Sequence, residues 1–252
     1  MDELKDIDLK AYSPSAKTKQ LIKDTRILLL VGPTGSGKDT LARELLKTNH
    51  YHAIVTHTTR PPRHNHGVIE KDGQDYHFIN LATARKLLDG QEFVEAAMIH
   101  GNLYATSAAE FAAAKRESKI GVTDLDVQGV RSYKRLSPKA IAVFLLPPSF
   151  NILLARIARR YGHSNHDKDI IIRLNTALDE LYELLNTDYY YGVINDNLDQ
   201  TIKIVEQIVS TNHHDRQTDQ QAKKQAKNLI ADIKNYLAGQ SSTLDSRVLD
   251  KL

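Results

Sequence analysis

Apolar residues along the chain fall into short unbroken runs that alternate with stretches of helical period. The first run, "RILLLV" at 26–31, is bounded by Gly32, the pattern of a strand buried on both faces. Residues 39–47 then place Leu41, Leu45 and Leu46 on one side of a helix. A second apolar piece lies at 53–55, and "QDYHFIN" reads as a short strand. "LATARKLLDG" is a helix stopped by Gly90, followed by a strand and turn through "QEFVEAAMIHGNLYAT". "SAAEFAAAKRESK" is rich in good helix formers, and "IGVTDLDV" is a strand ending in two carboxylates. "AIAVFLLPP" is the most apolar strand, closed by Pro147 and Pro148. Two helices follow in "SFNILLARIARRYG" and "KDIIIRLNTALDELYELLNT", then a strand in "YYYGVIND" and a helix in "LDQTIKIVEQIVS". Strands that alternate with helices predict an α/β fold with a parallel sheet.

The ends read differently. Residues 1–25 are polar, with a turn signal at Ser13–Pro14, and are expected to form a lead-in to a domain at 26–210. After Thr211 the chain turns Gln- and Lys-rich. Ala222, Ala226, Leu229, Ile230, Ile233 and Leu237 have helical spacing and predict an appended amphipathic helix within 211–252. Gly239–Ser242 is expected to end it, with disorder beyond.

Composition narrows the chemistry. The 252 residues suffice for one large domain with appendages, and 41% hydrophobic with 26% charged residues is ordinary for a globular protein. There is no cysteine, which excludes disulfides, thiolate metal sites and a cysteine nucleophile. The N-terminus has no apolar signal-peptide core, and no apolar run approaches the roughly 18 residues of a membrane span. The expectation is a cytoplasmic protein with no membrane partner. A net charge of +3 is too slight to point to nucleic acid and suits anionic small substrates.

Four constellations carry candidate chemistry. In "GPTGSGKDT" (Gly32, Pro33, Thr34, Gly35, Ser36, Gly37, Lys38, Asp39, Thr40), the glycines let backbone N–H groups face phosphate oxygens. Lys38 reaches the β and γ phosphates of a bound nucleotide such as ATP. The usual loop has a hydroxyl after the lysine for Mg²⁺; here Asp39 stands there, a carboxylate that suits the same ion, with Thr40 one residue on. In "THTTRPPR", Arg60 and Arg63 flank two prolines, and Thr56, Thr59 and Tyr76 add hydroxyls, a set suited to a monophosphate. Glu95, Thr106 and Asp126 offer acceptors and a hydroxyl to guanine N1–H and N2 hydrogens. Asp124 ends a strand as a metal-directed carboxylate. Arg156, Arg159, Arg160 and Arg173 surround a polar loop and read as a mobile lid over about 156–173 that closes on a transferring phosphoryl group. Glu92 reads as a solvated strand end, and His64, His66, His163, His166, His213 and His214 as surface residues.

"GPTGSGKDTL", "HTTRPPR", "DYHF", "EFVEAAMIHGNLYATS", "DLDVQGVRS", "FLLPPS", "RLNTALDEL" and "VINDNLD" resemble, in the same order, the motifs of guanylate kinases, over about residues 26–209. The resemblance implies a P-loop NTPase-type parallel sheet flanked by helices, a GMP-binding region at about 56–107 and a lid. It implies transfer of the γ-phosphoryl of ATP to GMP, giving ADP and GDP, with Mg²⁺. By motif position the GMP phosphate falls to Thr56, Arg60, Arg63, Tyr76 and Tyr104, and the base to Glu95, Thr106 and Asp126. Asp124 falls near the metal, Arg156, Arg159 or Arg160, and Arg173 at the transfer, and Asn195 and Asp196 on the adenine side. Asp39 departs from the family's serine, and Thr56 from its more frequent serine. Ala105 replaces the glycine of the usual motif and is expected to tighten the GMP pocket. Two alternatives stand beside this reading: a ribose 1,5-bisphosphate kinase of similar fold, which shares "GKD", and a catalytically weak binding module. Either a monomer or a homodimer is compatible with the sequence.

Overall fold

The computed structural model describes residues 9, 11–65, 68–99, 101–161, 166–213 and 215–249, with backbone alone at 65, 68, 160, 161, 166, 167 and 240–249. In chain order the first elements are α1 (Ala16–Asp24), β1 (Ile27–Val31), α2 (Lys38–Leu46), β2 (Tyr51–Ala53), β3 (His57–Thr58), β4 (His64–Asn65), β5 (Val68–Ile69) and β6 (His77–Phe78). Then come α3 (Leu81–Asp89), β7 (Phe93–Ile99), β8 (Asn102–Ser107), α4 (Ala108–Arg116), β9 (Ile120–Asp124) and α5 (Val127–Leu136). The last are β10 (Ile141–Leu146), α6 (Phe150–Tyr161), α7 (His166–Asn186), β11 (Tyr190–Ile194), α8 (Leu198–Thr211) and α9 (Arg216–Leu249).

Five strands form a parallel sheet in the order β11-β10-β1-β9-β2. Every residue of β1 and of β10 is buried. That is why both read as unbroken apolar runs: helices cover the two faces of a parallel sheet, so no position is left for a polar side chain. A second, mixed sheet runs β6-β3-β8-β7, with β3 parallel to β6 and antiparallel to β8. β7 and β8 form a hairpin turning at Gly101, whose φ of 78° is left-handed. β4 and β5 make a separate small hairpin.

The chain divides into two compact units. The first comprises Met1–Leu28, Leu45–Thr123 and Gln128–Ala140; the second comprises Leu29–Glu44, Asp124–Val127 and Ile141–Leu252. In the first, Ala84, Leu88, Phe93, Leu103 and Ala105 form a core cluster, with Leu9, Tyr12 and Ile79 packed against it. In the second, Leu153 and Ile157 of α6 and Ile170, Leu174, Ala177 and Leu181 of α7 are buried, as 3.6-residue spacing requires.

Four features differ from the sequence expectations. The polar lead-in contains a full helix, α1, capped by Ser15, whose hydroxyl accepts from the Thr18 amide at 3.1 Å. α5 was not foreseen in "VQGVRSYKRL", where Gly129 weakens the helical signal. β2 stops at Ala53, so Ile54 and Val55 are buried beyond its end. α9 does not stop at Gly239 but continues to Leu249. An interior glycine costs a helix only about 1 kcal/mol relative to alanine, too little to end it by itself. The apolar stripe of α9 lies on its own unit: Ala222, Ala226, Leu229 and Ile233 are buried, and α9 packs on α7 and β11. Gly192 of β11 permits this approach, since a Cβ there would come within 2.6 Å of the Ala222 Cβ.

Candidate active site

The second unit holds the glycine loop between β1 and α2. Gly32 has a φ of 134°, and a Cβ at this position would collide with the Leu145 carbonyl oxygen. Gly37 has a φ of 101°, and its Cβ would collide with the Asn195 amide nitrogen. Both positions therefore demand glycine on backbone and steric grounds. The loop's carbonyls are held by side chains. Lys38 Nζ donates to the oxygens of Gly32 and, at 3.3 Å, Pro33. Arg156 Nη1 donates to Gly35 O at 3.1 Å. Asn195 Nδ2 donates to Ser36 O at 2.8 Å, and its Oδ1 accepts from Thr201 Oγ1 at 3.1 Å. Fixing these carbonyls fixes the peptide planes, and with them the N–H directions on which anion binding depends.

Pro33 and Ser36 are buried, Thr34 is partly buried, and Asp39 and Thr40 are exposed in the first turn of α2. A carboxylate in a first helical turn sits well with the helix dipole. Asp124 at the end of β9 and Asp126 just beyond it are also exposed. Asn195 is buried and its amide is engaged with the loop and with Thr201; Asp196 next to it is exposed. Arg156 and Arg173 are partly buried and Arg159 is exposed. The Arg160 side chain, residues 162–165 with His163, the His166 side chain, and His66 and His214 lie outside the described residues.

One residue of this unit was missed by the sequence reading. Glu180 of α7 is 8% exposed, and its Oε2 has no protein hydrogen-bond partner. Burial pushes its carboxyl up to about 7; Asp126 and Asp179 push the same way, against Lys38 and Arg173. A carboxylate interrupting the stripe Leu174, Ala177, Leu181, Leu184 was the available signal.

The first unit holds the second arginine site. Arg60, 5% exposed, forms a two-pronged ion pair with Glu70: Nη1 to Oε2 at 2.8 Å and Nη2 to Oε1 at 3.0 Å. Its Nε donates to the Tyr104 hydroxyl at 3.0 Å, and Nη1 also donates to Pro61 O at 2.7 Å. The guanidinium lies 5.2 Å from the Tyr76 ring centroid and 5.8 Å from that of Phe78. Glu70 is held below its ordinary range by the hydrogen bond from Arg60. Sequence reading missed Glu70, which lies ten positions from Arg60 with the small hairpin between. Arg63 is exposed, and its amide donates to Glu70 Oε2 at 2.8 Å. Thr56 is partly buried near the start of β3. The Thr59 hydroxyl, expected in a phosphate cradle, instead accepts from the Leu103 amide at 2.9 Å and ties β8 down.

The Glu95 and Thr106 pair is brought together across the β7–β8 ladder, with the hydroxyl 3.5 Å from Glu95 Oε1. Tyr133, fully buried and unforeseen, stands by this carboxylate; burial first, and Glu95 second, push its phenol well above the ordinary value. Asp126, expected with Glu95 and Thr106, belongs to the other unit. Ala105 does not narrow this site. It is 1% exposed and belongs to the core cluster, because alternation along β8 sends it to the face opposite Tyr104 and Thr106.

Among the described residues no cluster of three or more His, Cys, Asp or Glu could hold a metal ion, and no helix is long and apolar enough to cross a membrane.

Comparison with known proteins points one way. The family model for guanylate kinase matches residues 24–212. The chain is 35% identical over 184 residues to a guanylate kinase of Bartonella henselae, covering 72% of this chain and 79% of that protein. It is 34% identical over 185 residues to one of Thermotoga maritima, covering 73% and 86%, and 32% identical over 188 residues to one of Sus scrofa, covering 73% and 92%. The structure of a guanylate kinase from Anaplasma phagocytophilum superposes with a TM-score of 0.54 at 24% identity, over 78% of this chain and 90% of that one, a likeness of fold.

Proposed function

The chain belongs to the guanylate kinase family, and from that premise we propose that it transfers the γ-phosphoryl group of ATP to GMP, giving ADP and GDP. The observation that carries this reading is Arg60. It is a buried guanidinium fixed by Glu70, Tyr104 and the Tyr76 ring, in a chain that also has a glycine loop with Lys38. Two phosphate-directed sites suit a donor and a phosphorylated acceptor.

The transfer needs no covalent intermediate. Positive charge must meet the transferring group, and the acceptor oxygen must lie in line with the phosphorus. Lys38, held on the loop carbonyls before substrate arrives, would exchange those bonds for β and γ oxygens. Arg156, Arg159 or Arg160, and Arg173 would add charge from α6 and α7. Thr56, Arg60, Arg63, Tyr76 and Tyr104 would hold the GMP phosphate. Glu95, Thr106 and Asp126 would accept or donate at the guanine edge, and Asn195 and Asp196 would lie on the adenine side. The oxygen donors of Asp39, Thr40 and Asp124 fit Mg²⁺, which is ordinarily held by one or two carboxylates together with substrate phosphates. When bound, the ion would supply charge neutralisation on the phosphates.

The test is ADP formation from ATP and Mg²⁺ with GMP, dGMP, AMP, UMP and ribose 1,5-bisphosphate as separate acceptors. Turnover confined to the guanine nucleotides is expected. Turnover with ribose 1,5-bisphosphate, or none with any acceptor, would overturn the reading.

A further inference from the structure

The family match starts at residue 24, yet described residues before it, Leu9, Tyr12 and α1, pack within the first unit. Among the described residues β7 is the last strand of the mixed sheet, paired on one side to β8. On its other side, at Phe93, it meets a side chain from the N-terminal segment. The Tyr12 hydroxyl donates to Phe93 O at 2.9 Å and accepts from the Phe93 amide at 3.0 Å. A single hydroxyl thus satisfies both backbone groups of one strand residue, as a neighbouring strand would. The same segment continues the contact upstream: the Ser15 amide donates to Gln91 O at 3.1 Å, and Thr18 Oγ1 donates to it at 3.2 Å. The Tyr12 ring packs on the core cluster that includes Phe93, Leu103 and Ala105. Burial pushes its phenol up to about 12, so the hydroxyl keeps the proton it donates.

The place of this clamp matters. Phe93 pairs with Ser107, but Glu95 pairs with Thr106, so the ladder carries a bulge between Phe93 and Glu95. A bulge turns the strand and re-aims the side chain that follows it. Here that side chain is Glu95, whose Oε1 lies 3.5 Å from the Thr106 hydroxyl. Edge strands with a bulge are prone to local opening, because only one side of their backbone is paired.

We infer that Tyr12 is a positioning residue for guanine recognition: by clamping both backbone groups of Phe93 it fixes the bulge that aims Glu95. The inference rests on the reading of Glu95 as a guanine acceptor. The segment before the family domain is then part of the acceptor site's specificity, acting through β7.

Steady-state kinetics with GMP and with inosine monophosphate, which lacks the N2 amino group, test this in the full chain. The variants are Tyr12→Phe, which keeps the ring in the core, and Glu95→Gln. Hydrogen exchange at the Phe93 amide is measured in parallel. Tyr12→Phe is expected to speed that exchange and raise KM for GMP about fivefold, the scale of one weakened hydrogen bond. It is also expected to shrink the preference for GMP over inosine monophosphate and leave KM for ATP unchanged. If Glu95→Gln loses the preference while Tyr12→Phe keeps it, the clamp is structural only and the inference falls. If Glu95→Gln keeps the preference, the reading of Glu95 fails and the inference falls with it. Unchanged exchange at Phe93 in Tyr12→Phe would overturn the clamp itself.

Discussion

The glycine loop and the Arg60 site both serve anionic groups in the proposed reaction, but they are held in opposite ways. In the loop, side chains hold backbone: Lys38, Arg156 and Asn195 each donate to a carbonyl between Gly32 and Ser36. Around Arg60, side chains hold a side chain: Glu70, Tyr104 and Tyr76 surround one guanidinium. The loop's geometry is therefore shared among several carbonyls and is protected by Gly32 and Gly37, positions where a Cβ would collide. The arginine site is concentrated in one group, which an incoming phosphate can approach only by joining or exchanging partners already present. A site of the first kind degrades gradually when a pin is lost; a site of the second kind fails with its centre.

Lys38 is the exception within the loop, because it is both pin and proposed transfer group. Lys38→Ala is expected to lower kcat by about two to four orders of magnitude, on the scale of other charge-stabilising groups, while calorimetry finds GMP binding nearly intact. A parallel loss of GMP binding would remove Lys38 from that role. Next in size is Arg60→Ala. It is expected to raise the Kd for GMP about 100-fold, since it removes a charged partner and leaves the partly buried Glu70 without its counter-ion. Arg60→Lys should recover little, because an ammonium cannot repeat the two-pronged pair. GMP affinity unchanged in either variant would take the centre out of the cradle.

Asn195→Ala should be milder, as a distributed site predicts. Loss of one hydrogen bond to Ser36 O is expected to cost about 1 kcal/mol of stability and raise KM for ATP several-fold, with KM for GMP unchanged. An effect as large as that of Lys38→Ala would show that the loop is no more tolerant than the arginine site.

The smallest effect expected on activity concerns Glu180. Its carboxyl is raised from 4.5 to about 7, so the folded state keeps a proton that the unfolded chain releases. Stability must then fall as pH rises through that window, by at most about 3 kcal/mol, with the full contribution present below the lower value. Thermal melts from pH 5 to 8 should show this slope in the wild type and a flatter one in Glu180→Gln. Equal slopes would mean that the carboxyl titrates normally.

The strands and helices that read correctly from sequence are those with a strong period. β1 and β10 are unbroken apolar runs because both faces are covered, and α6 to α8 are long enough for 3.6-residue spacing to emerge. The glycine loop was legible because its residue types are dictated locally, by φ values and close approach that exclude a Cβ. β3, β4 and β5 were not legible, because two-residue strands carry no periodicity; pairing alone defines them, across the mixed sheet for β3 and in a small hairpin for β4 and β5, while "QDYHFIN" did mark β6.

The sequence by itself determined the α/β class, the loop, and the inventory of arginines and acids around it, since each of these follows from residue type at short range. Only the tertiary structure decided the partners. It gave Arg60 to Glu70, Asn195 to the loop carbonyl of Ser36, and Ala105 to the core; it seated Tyr12 on Phe93 and buried Glu180. These pairings join residues up to 159 positions apart. No local pattern encodes them, because burial and hydrogen-bond satisfaction are settled only when distant segments exclude water together.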